Sequence, residues 1–283
     1  MFVFLPLFCP VFGSFYPFRG AHHVNDCISL VEFPEKFPSP VHLKITCILS
    51  LNMLEEIPEE KPAPRVVLCI PGDTFTREVV MDITRFLFEA KGAGWDVILS
   101  MDYDPNVYYV RNKLLGGDVG RGPTQKPFNG QFDYDYVFWI DSDIRFNFKM
   151  AERLISHGKD VSCGLYRMRD MKSFAVVKDM DDAFFAENKY YKFLTVDDFK
   201  EMQETEKMDI FKIDYTGMGI CMVSRKALEA LEYPWFRPIW MNVGDMKDFT
   251  SEDVGFCIQL RKAGFDIWCD PTVVAGHMKT FAI

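Results

Sequence analysis

The chain has 283 residues, 48% of them hydrophobic, and a formal net charge of -9. That length supports one large folded domain, or one domain with an appendage. The acidic balance argues against a nucleic-acid binder, which shows a basic face, but leaves room for a local basic pocket for phosphates.

Residues 1–52 are rich in Phe and Pro, poor in charge and without a sustained helical or strand period. The opening MFVFLPLFCPVFGSFYPF lacks the basic start of a signal peptide. No mid-chain run reaches the ~20 apolar residues of a membrane span. MLEEIPEEKPAPR (53–65) is acidic and Pro-containing, which suits a linker. The expected organisation is an extension over 1–52, poorly ordered, a linker over 53–64, and a domain over 65–283. Met53 is a candidate start of the folded protein. Cytoplasmic localisation is expected, with a membrane anchor at the apolar N-terminus left open.

From Arg65 the pattern is regular. RVVLCI (65–70) predicts a buried strand, and 76–92 predicts a helix with Val79, Val80, Ile83, Phe86, Leu87 and Ala90 on one face. WDVILS (95–100) is a second strand. Asp104-Pro105 offers a cap and first-turn proline for a helix carrying Val107, Val110, Leu114 and Leu115. Residues 116–131 are a Gly- and Pro-rich loop, and YVFWI (136–140) is a third strand. Asn147 caps a short helix to His157, and DVSCGLY (160–166) is a fourth strand. This alternation predicts an open parallel α/β sheet, which binds ligands beyond the carboxyl ends of its strands. Shorter strands follow at 173–178, 208–214 and 220–224. The eight cysteines form no CxxC pair, which argues against a zinc cluster. Cys69, Cys163, Cys221 and Cys269 lie in apolar runs and read as small buried hydrophobes.

The third strand runs into Asp141-Ser142-Asp143. Two carboxylates this close repel each other, and desolvating either is costly without a cation between them. A strand-end turn can aim both at one Mg²⁺ or Mn²⁺, completed by water and a substrate diphosphate. The plain alternative is a turn with capping aspartates. Phosphatases and mutases of the haloacid dehalogenase class also carry strand-DxD, but on the first strand and with Thr or Val after it; here Arg145-Phe146 follows a third strand.

Downstream, Tyr215-Thr216-Gly217-Met218-Gly219 is a tight loop whose glycines would let backbone N–H groups approach a ligand. Glu252-Asp253 opens a helix. Thr250 and Asp253 match a T-x-x-D capping box, and one of the adjacent carboxylates is a candidate general base, kept ionised by the helix N-terminus. His277 follows a strand and is a candidate third metal ligand. Trp235, Phe236 and Trp240 could stack on an acceptor sugar or pack in the core.

FWIDSDI, TGMGICMVSRKAL and SEDVGFCIQLRKAGFDIWCDP with a late His, in this order over about residues 65–277, resemble GT-A-fold glycosyltransferases of the DxD-containing, family-2-like kind. The resemblance implies an α/β, GT-A-like Rossmann-type sandwich with a mostly parallel central sheet. It implies transfer of a sugar from a nucleotide-diphosphate sugar to a hydroxyl of a glycan, glycoprotein or other acceptor, with Mn²⁺ or Mg²⁺. Asp141 and Asp143 match the DxD motif, Asp143 as metal ligand and Asp141 nearer the ribose or a metal-bound water. Pro71, Gly72 and Asp73 match the loop that holds the nucleoside, and Asp102 the base-contacting acid. Arg111 and Asn112 match a helix facing the nucleotide sugar. Gly217 and Gly219 fall in the expected donor-binding loop. Glu252-Asp253 match the acidic pair of inverting members, with Asp253 as base, and His277 the metal-binding His of some members. Residues 1–52 match nothing in that family. Two alternatives stay open, a nucleotidyltransferase and a non-catalytic nucleotide-sugar or carbohydrate-binding module.

Overall fold

A computed structural model describes residues 62–205 and 210–279. The expected extension and nearly all of the expected linker lie outside the described residues. The elements, in chain order, are β1 (Arg65–Pro71), α1 (Arg77–Gly92), β2 (Asp96–Asp102), α2 (Val107–Leu114), β3 (Tyr136–Ile140), β4 (Ile144–Arg145) and α3 (Phe148–Ser156). Next come β5 (Val161–Tyr166), β6 (Ser173–Val177), α4 (Asp182–Asn188), β7 (Phe193–Thr195) and α5 (Val196–Thr205). The chain continues through β8 (Phe211–Ile213), β9 (Tyr215–Thr216), β10 (Ile220–Ser224), α6 (Arg225–Glu229), β11 (Trp240–Val243), β12 (Met246–Phe249), α7 (Glu252–Lys262) and β13 (Ile267–His277).

β1 is apolar along almost its whole length because both its faces are covered. Val67 and Cys69 join one core with Trp139, while Val66, Leu68 and Ile70 join another with Phe86 and Phe138. Alternate residues of one strand thus feed opposite cores, as the period of two requires. Each fully buried large side chain stabilises by roughly 1.5–3 kcal/mol. The expected helix over 76–92 forms as α1, with the Thr76 hydroxyl accepting the Val79 N–H. Its inner face differs at two places: Val80 is exposed and Asp82 is buried. Asp82 is tolerated there because Arg145 pairs with it. α2 begins later than Asp104-Pro105 suggests: Asp104 Oδ1 accepts the Asn106 N–H at 3.0 Å, making a turn that precedes the helix. Asn147 caps α3 as expected, accepting the Met150 N–H at 3.1 Å.

The central sheet has the order β2-β1-β3-β10-β5-β13-β4, with β8 also paired to β13. β2, β1, β3, β5 and β13 run one way, and β10, β4 and β8 the other. The expectation of a mostly parallel sheet holds, but the fourth sequence strand does not lie beside the third. β10 stands antiparallel between them, pairing Ile220 with Ile140 and Cys221 with Cys163. Small side sheets follow: β7-β6-β9, and the β11–β12 hairpin.

This topology gathers the site. The carboxyl ends of β1, β3 and β13 and the start of β10 share one edge. β4 follows the Asp141-Ser142-Asp143 turn and pairs antiparallel with the end of β13, His277 opposite Ile144. That pairing brings His277 to Asp143 across more than a hundred residues. Among the described residues, no helix is long and apolar enough to cross a membrane. Cys69, Cys163, Cys221, Cys257 and Cys269 are free thiols, all buried.

Candidate active site

A cavity of about 390 Å³ opens at the shared edge, lined by residues that include Pro71, Gly72, Arg111, Asp141, Asp143 and His277. Gly72 stands where a side chain would collide with the turn, since a Cβ there would lie 2.8 Å from Ser142 Cβ. The first strand can meet the Asp-Ser-Asp turn only with a glycine at this place.

Arg111 is the electrostatic centre. Its side chain is 4% exposed, and it spans two carboxylates: Nη2 donates to Asp141 Oδ1 at 2.9 Å, and Nε to Glu252 Oε1 at 3.3 Å. Its guanidinium lies 5.5 Å from the Trp139 ring centroid and 5.7 Å from that of Phe236. Nη1 is buried without a protein partner, on a residue that lines the cavity. A buried N–H left unsatisfied calls for an acceptor atom from outside the protein. Burial works against the Arg111 charge, but Asp141 and Glu252 outweigh it and hold the guanidinium firmly protonated.

Asp143 sits in a different field. Its Oδ2 accepts from Lys279 Nζ at 2.7 Å and lies 3.2 Å from His277 Nε2. Burial opposes its charge, yet the His277 and Lys279 contacts hold its carboxyl below the usual range. The other His277 nitrogen, Nδ1, is 2.5 Å from the Arg167 carbonyl, so it carries the proton and donates it. Burial disfavours the imidazolium, but the contacts with Asp143 and the Arg167 carbonyl leave the His277 pKa raised overall.

The three expected metal ligands are therefore not gathered as a set. Among the described residues, no group of three His, Cys, Asp or Glu side chains is placed to hold an ion. Asp141 is engaged by Arg111, while Asp143 and His277 are neighbours. The Nδ1 hydrogen bond fixes the His277 tautomer that offers Nε2 to a metal, as ligating histidines do. Asp143 and His277 fit a divalent ion as two protein ligands, with the remaining positions left to water and ligand oxygens.

The acidic pair divides its labour. Glu252 is buried on Arg111, and its pKa is raised, chiefly by burial and then by the Asp253 charge, against the pull of Arg111. Asp253 faces the other way. Its Oδ2 accepts from the Tyr215 hydroxyl at 2.8 Å, and its Oδ1 from the Val254 N–H at 2.8 Å and the Ser251 hydroxyl. The capping box does not form, because the helix starts one residue later than it requires. Ser251 is the cap position, and the Thr250 hydroxyl accepts the Ile239 N–H instead.

Several expected contacts are otherwise employed. The Asn112 side chain is buried, donating to the Phe236 carbonyl at 2.6 Å and accepting its N–H at 3.2 Å, so it ties α2 to the 233–240 segment rather than facing a ligand. Trp235 and Phe236 are fully buried, which corrects the acceptor-stacking expectation: Phe236 stacks on Phe256 at 4.2 Å. Trp240 is 63% exposed and stacks on Phe249 at 3.8 Å. At Gly217 and Gly219 a side chain would collide with Tyr166, whose hydroxyl and ring lie where a Cβ would go. Asp102 and Asp73 are exposed and do not line the cavity: Asp102 Oδ1 accepts the Tyr103 N–H at 2.6 Å, and Asp73 Oδ1 the Thr74 hydroxyl at 3.3 Å. Tyr166 and Lys279 were not singled out from sequence, and Tyr215 was read only as the start of the glycine loop. Tyr166 ends a strand at the ligand edge, a position that signals function in such sheets.

No family model matches the sequence, and no curated protein matches it. Among solved structures the chain is similar to A197 from STIV, at 17% identity over 76% of this chain and 86% of that one, with a TM-score of 0.46. It is similar to GalNAc-T7, solved with UDP, GalNAc and Mn²⁺, at 10% identity over 78% of this chain and 45% of that one, with a TM-score of 0.43. It is also similar to the inositol-1-phosphate CTP transferase from T. maritima, at 11% identity over 77% of this chain and 90% of that one, with a TM-score of 0.37. The chain spans less than half of the GalNAc-T7 structure. The fold is α/β, with a mixed, mostly parallel central sheet whose strand order creates the site edge.

Proposed function

We propose that the chain is a glycosyltransferase that moves a sugar from a nucleotide-diphosphate sugar to an acceptor hydroxyl, with inversion, and that Asp253 is the base. The observation that carries this reading is the arrangement at the sheet edge. A cavity is lined by Arg111, whose Nη1 has no protein partner, and by the Asp143–His277–Lys279 cluster, and a separately held carboxylate, Asp253, is held by Tyr215. Arg111 Nη1 would donate to a donor oxygen, and Lys279 and His277 would face the diphosphate. Asp143 and His277 would hold a Mn²⁺ or Mg²⁺ ion, which supplies charge neutralisation for the departing diphosphate.

The chemistry balances on these residues. The acceptor oxygen forms a bond to the anomeric carbon, the bond from that carbon to the phosphate oxygen breaks, and Asp253 takes the hydroxyl proton. Tyr215 and the Val254 N–H fix the carboxylate, so that little reorganisation accompanies transfer. Glu252 has a supporting part, balancing Arg111. The Pro71–Asp73 turn and Asp102 would receive the nucleoside.

The test is nucleotide diphosphate release from a panel of nucleotide sugars with Mn²⁺, for the protein and for Asp143→Ala. Release that depends on Asp143 supports the reading; equal release by the variant refutes the role given to that carboxylate. A nucleotidyltransferase would want basic groups in the loop after β1 to hold a triphosphate. Arg77, which opens α1 just beyond that loop, pairs with Glu78 and does not line the cavity.

A further inference from the structure

A second cavity, about 420 Å³, adjoins the first and shares Tyr166, His277 and Lys279 with it as a common wall. It is lined in addition by Met168, Arg169, Ala175 and Tyr215. Its charge is unlike that of the chain. The protein carries a net charge of -9, yet this lining includes Arg169, His277 and Lys279 and no carboxylate. Lys279 and His277 are engaged with Asp143 at the shared wall. Arg169, from the turn after β5, makes no ion pair among the described residues. Tyr215, also in this lining, is the residue that holds Asp253. A molecule in this lobe would therefore meet the Arg169 guanidinium and the tyrosine that holds the proposed base.

We infer that the second lobe is the acceptor site, and that it takes an acceptor bearing an anionic group, a phosphate monoester or a carboxylate, seated on Arg169. The inference rests on the glycosyltransferase reading of the neighbouring cavity. Guanidinium groups bind phosphate and carboxylate through paired N–H donors, and a free one costs little to recruit. The anionic group is an anchor and not the nucleophile. The attacking oxygen is a hydroxyl elsewhere on the same acceptor, placed toward Asp253. The Tyr166 and Tyr215 rings, both in the lining, give the body of the acceptor apolar surface.

The experiment has a binding arm and a turnover arm. Inorganic phosphate is titrated calorimetrically into the full chain saturated with a nucleoside diphosphate, so that the first cavity is filled, and into Arg169→Gln treated alike. Phosphate binding that weakens about tenfold or more in the variant supports the inference; equal binding overturns it. For turnover, glucose 1-phosphate and glucuronate are compared with glucose as acceptors, using whichever donor the panel identifies. Preference for either anionic acceptor, lost in Arg169→Gln and partly kept in Arg169→Lys, supports the inference, and the better of the two identifies the anionic group. Equal use of glucose overturns the inference and leaves the transferase reading standing. If no nucleotide sugar is bound or hydrolysed, the transferase reading fails, and the acceptor assignment falls with it even if phosphate still binds at Arg169.

Discussion

Arg111→Met removes one cation from between Asp141 and Glu252 and leaves a side chain of similar length beside Trp139 and Phe236. Glu252 is then the exposed weakness of the fold, because its side chain is only 10% accessible and Asp253 is its sequence neighbour. Breaking a buried pair by deleting one partner typically costs about 3–5 kcal/mol, since the remaining charge is stranded. For a domain of this size each kcal/mol moves the Tm by about 2–4 °C, so the expected fall is about 6–20 °C. The pH dependence separates this cause from simple loss of packing. The Glu252 carboxyl already has a raised pKa in the folded protein. Its contribution to stability is therefore full below its unfolded value and is lost as the pH rises through the folded value. Without Arg111 that value rises further, so the gap between variant and wild type should be widest at pH 8 and narrower at pH 5. Adding Glu252→Gln should recover most of the loss. Urea denaturation at the two pH values is the assay. A gap that does not change with pH, or a double variant no better than the single one, would refute the stranded-charge account.

Asp253→Asn should lower kcat by about 10²–10⁴-fold, the usual contribution of a general base, with nucleotide affinity within a factor of about two in calorimetry. Unchanged turnover would remove Asp253 from the mechanism. Gly217→Ala should destabilise by about 1–3 kcal/mol in urea melts, because its new methyl overlaps the Tyr166 hydroxyl, and adding Tyr166→Phe should restore part of that. Asp270 is fully buried in β13 against Arg153, His157 and Thr272. Burial opposes its charge, but those contacts leave its pKa below the usual value of 3.8. Its stabilisation is present above that pH and lost as the pH falls through the lower folded value. Asp270→Asn should therefore be less stable near neutrality, and its loss of stability on acidification should be shallower than that of wild type, as followed by circular dichroism.

Local pattern carried the first half of the fold well. Buried strands at 65–70 and 136–140, the α1 helix and the Asn147 cap are short-range signals, and each forms where the pattern places it, with Val80 turned outward from the α1 stripe. Order in the sheet is a long-range property. Nothing near Ile220 says that its strand inserts antiparallel between β3 and β5, because its inward and outward residues would fit several neighbours equally well. Asp141, Asp143 and His277 were legible as residue types at the carboxyl ends of strands, and Arg111, on α2, only through the family resemblance; all four line one cavity. Partners were not legible. Asn112 looks like a ligand contact but spends its amide on Phe236, and Trp235 looks like a sugar platform but fills the core. An aromatic in a loop, or an amide on a short helix, reads the same in sequence whether it turns inward or outward, and only the packed core decides.

The two aspartates of the turn need not share one counter-ion to be stable side by side. Each has its own. Asp141 is neutralised from within by Arg111, which also restrains Glu252, so it belongs to the buried framework that joins α2 to the start of α7. Asp143 is neutralised from the rim by Lys279 and His277, both of which line the two cavities. A surface-side ammonium is easily redirected, whereas a guanidinium buried under Trp139 and Phe236 is not. A ligand entering the cavity can therefore take over the Lys279 contact and change the charge around Asp143 while Asp141 stays fixed. One residue of the turn holds the framework still, and its neighbour but one is left free to respond to what binds.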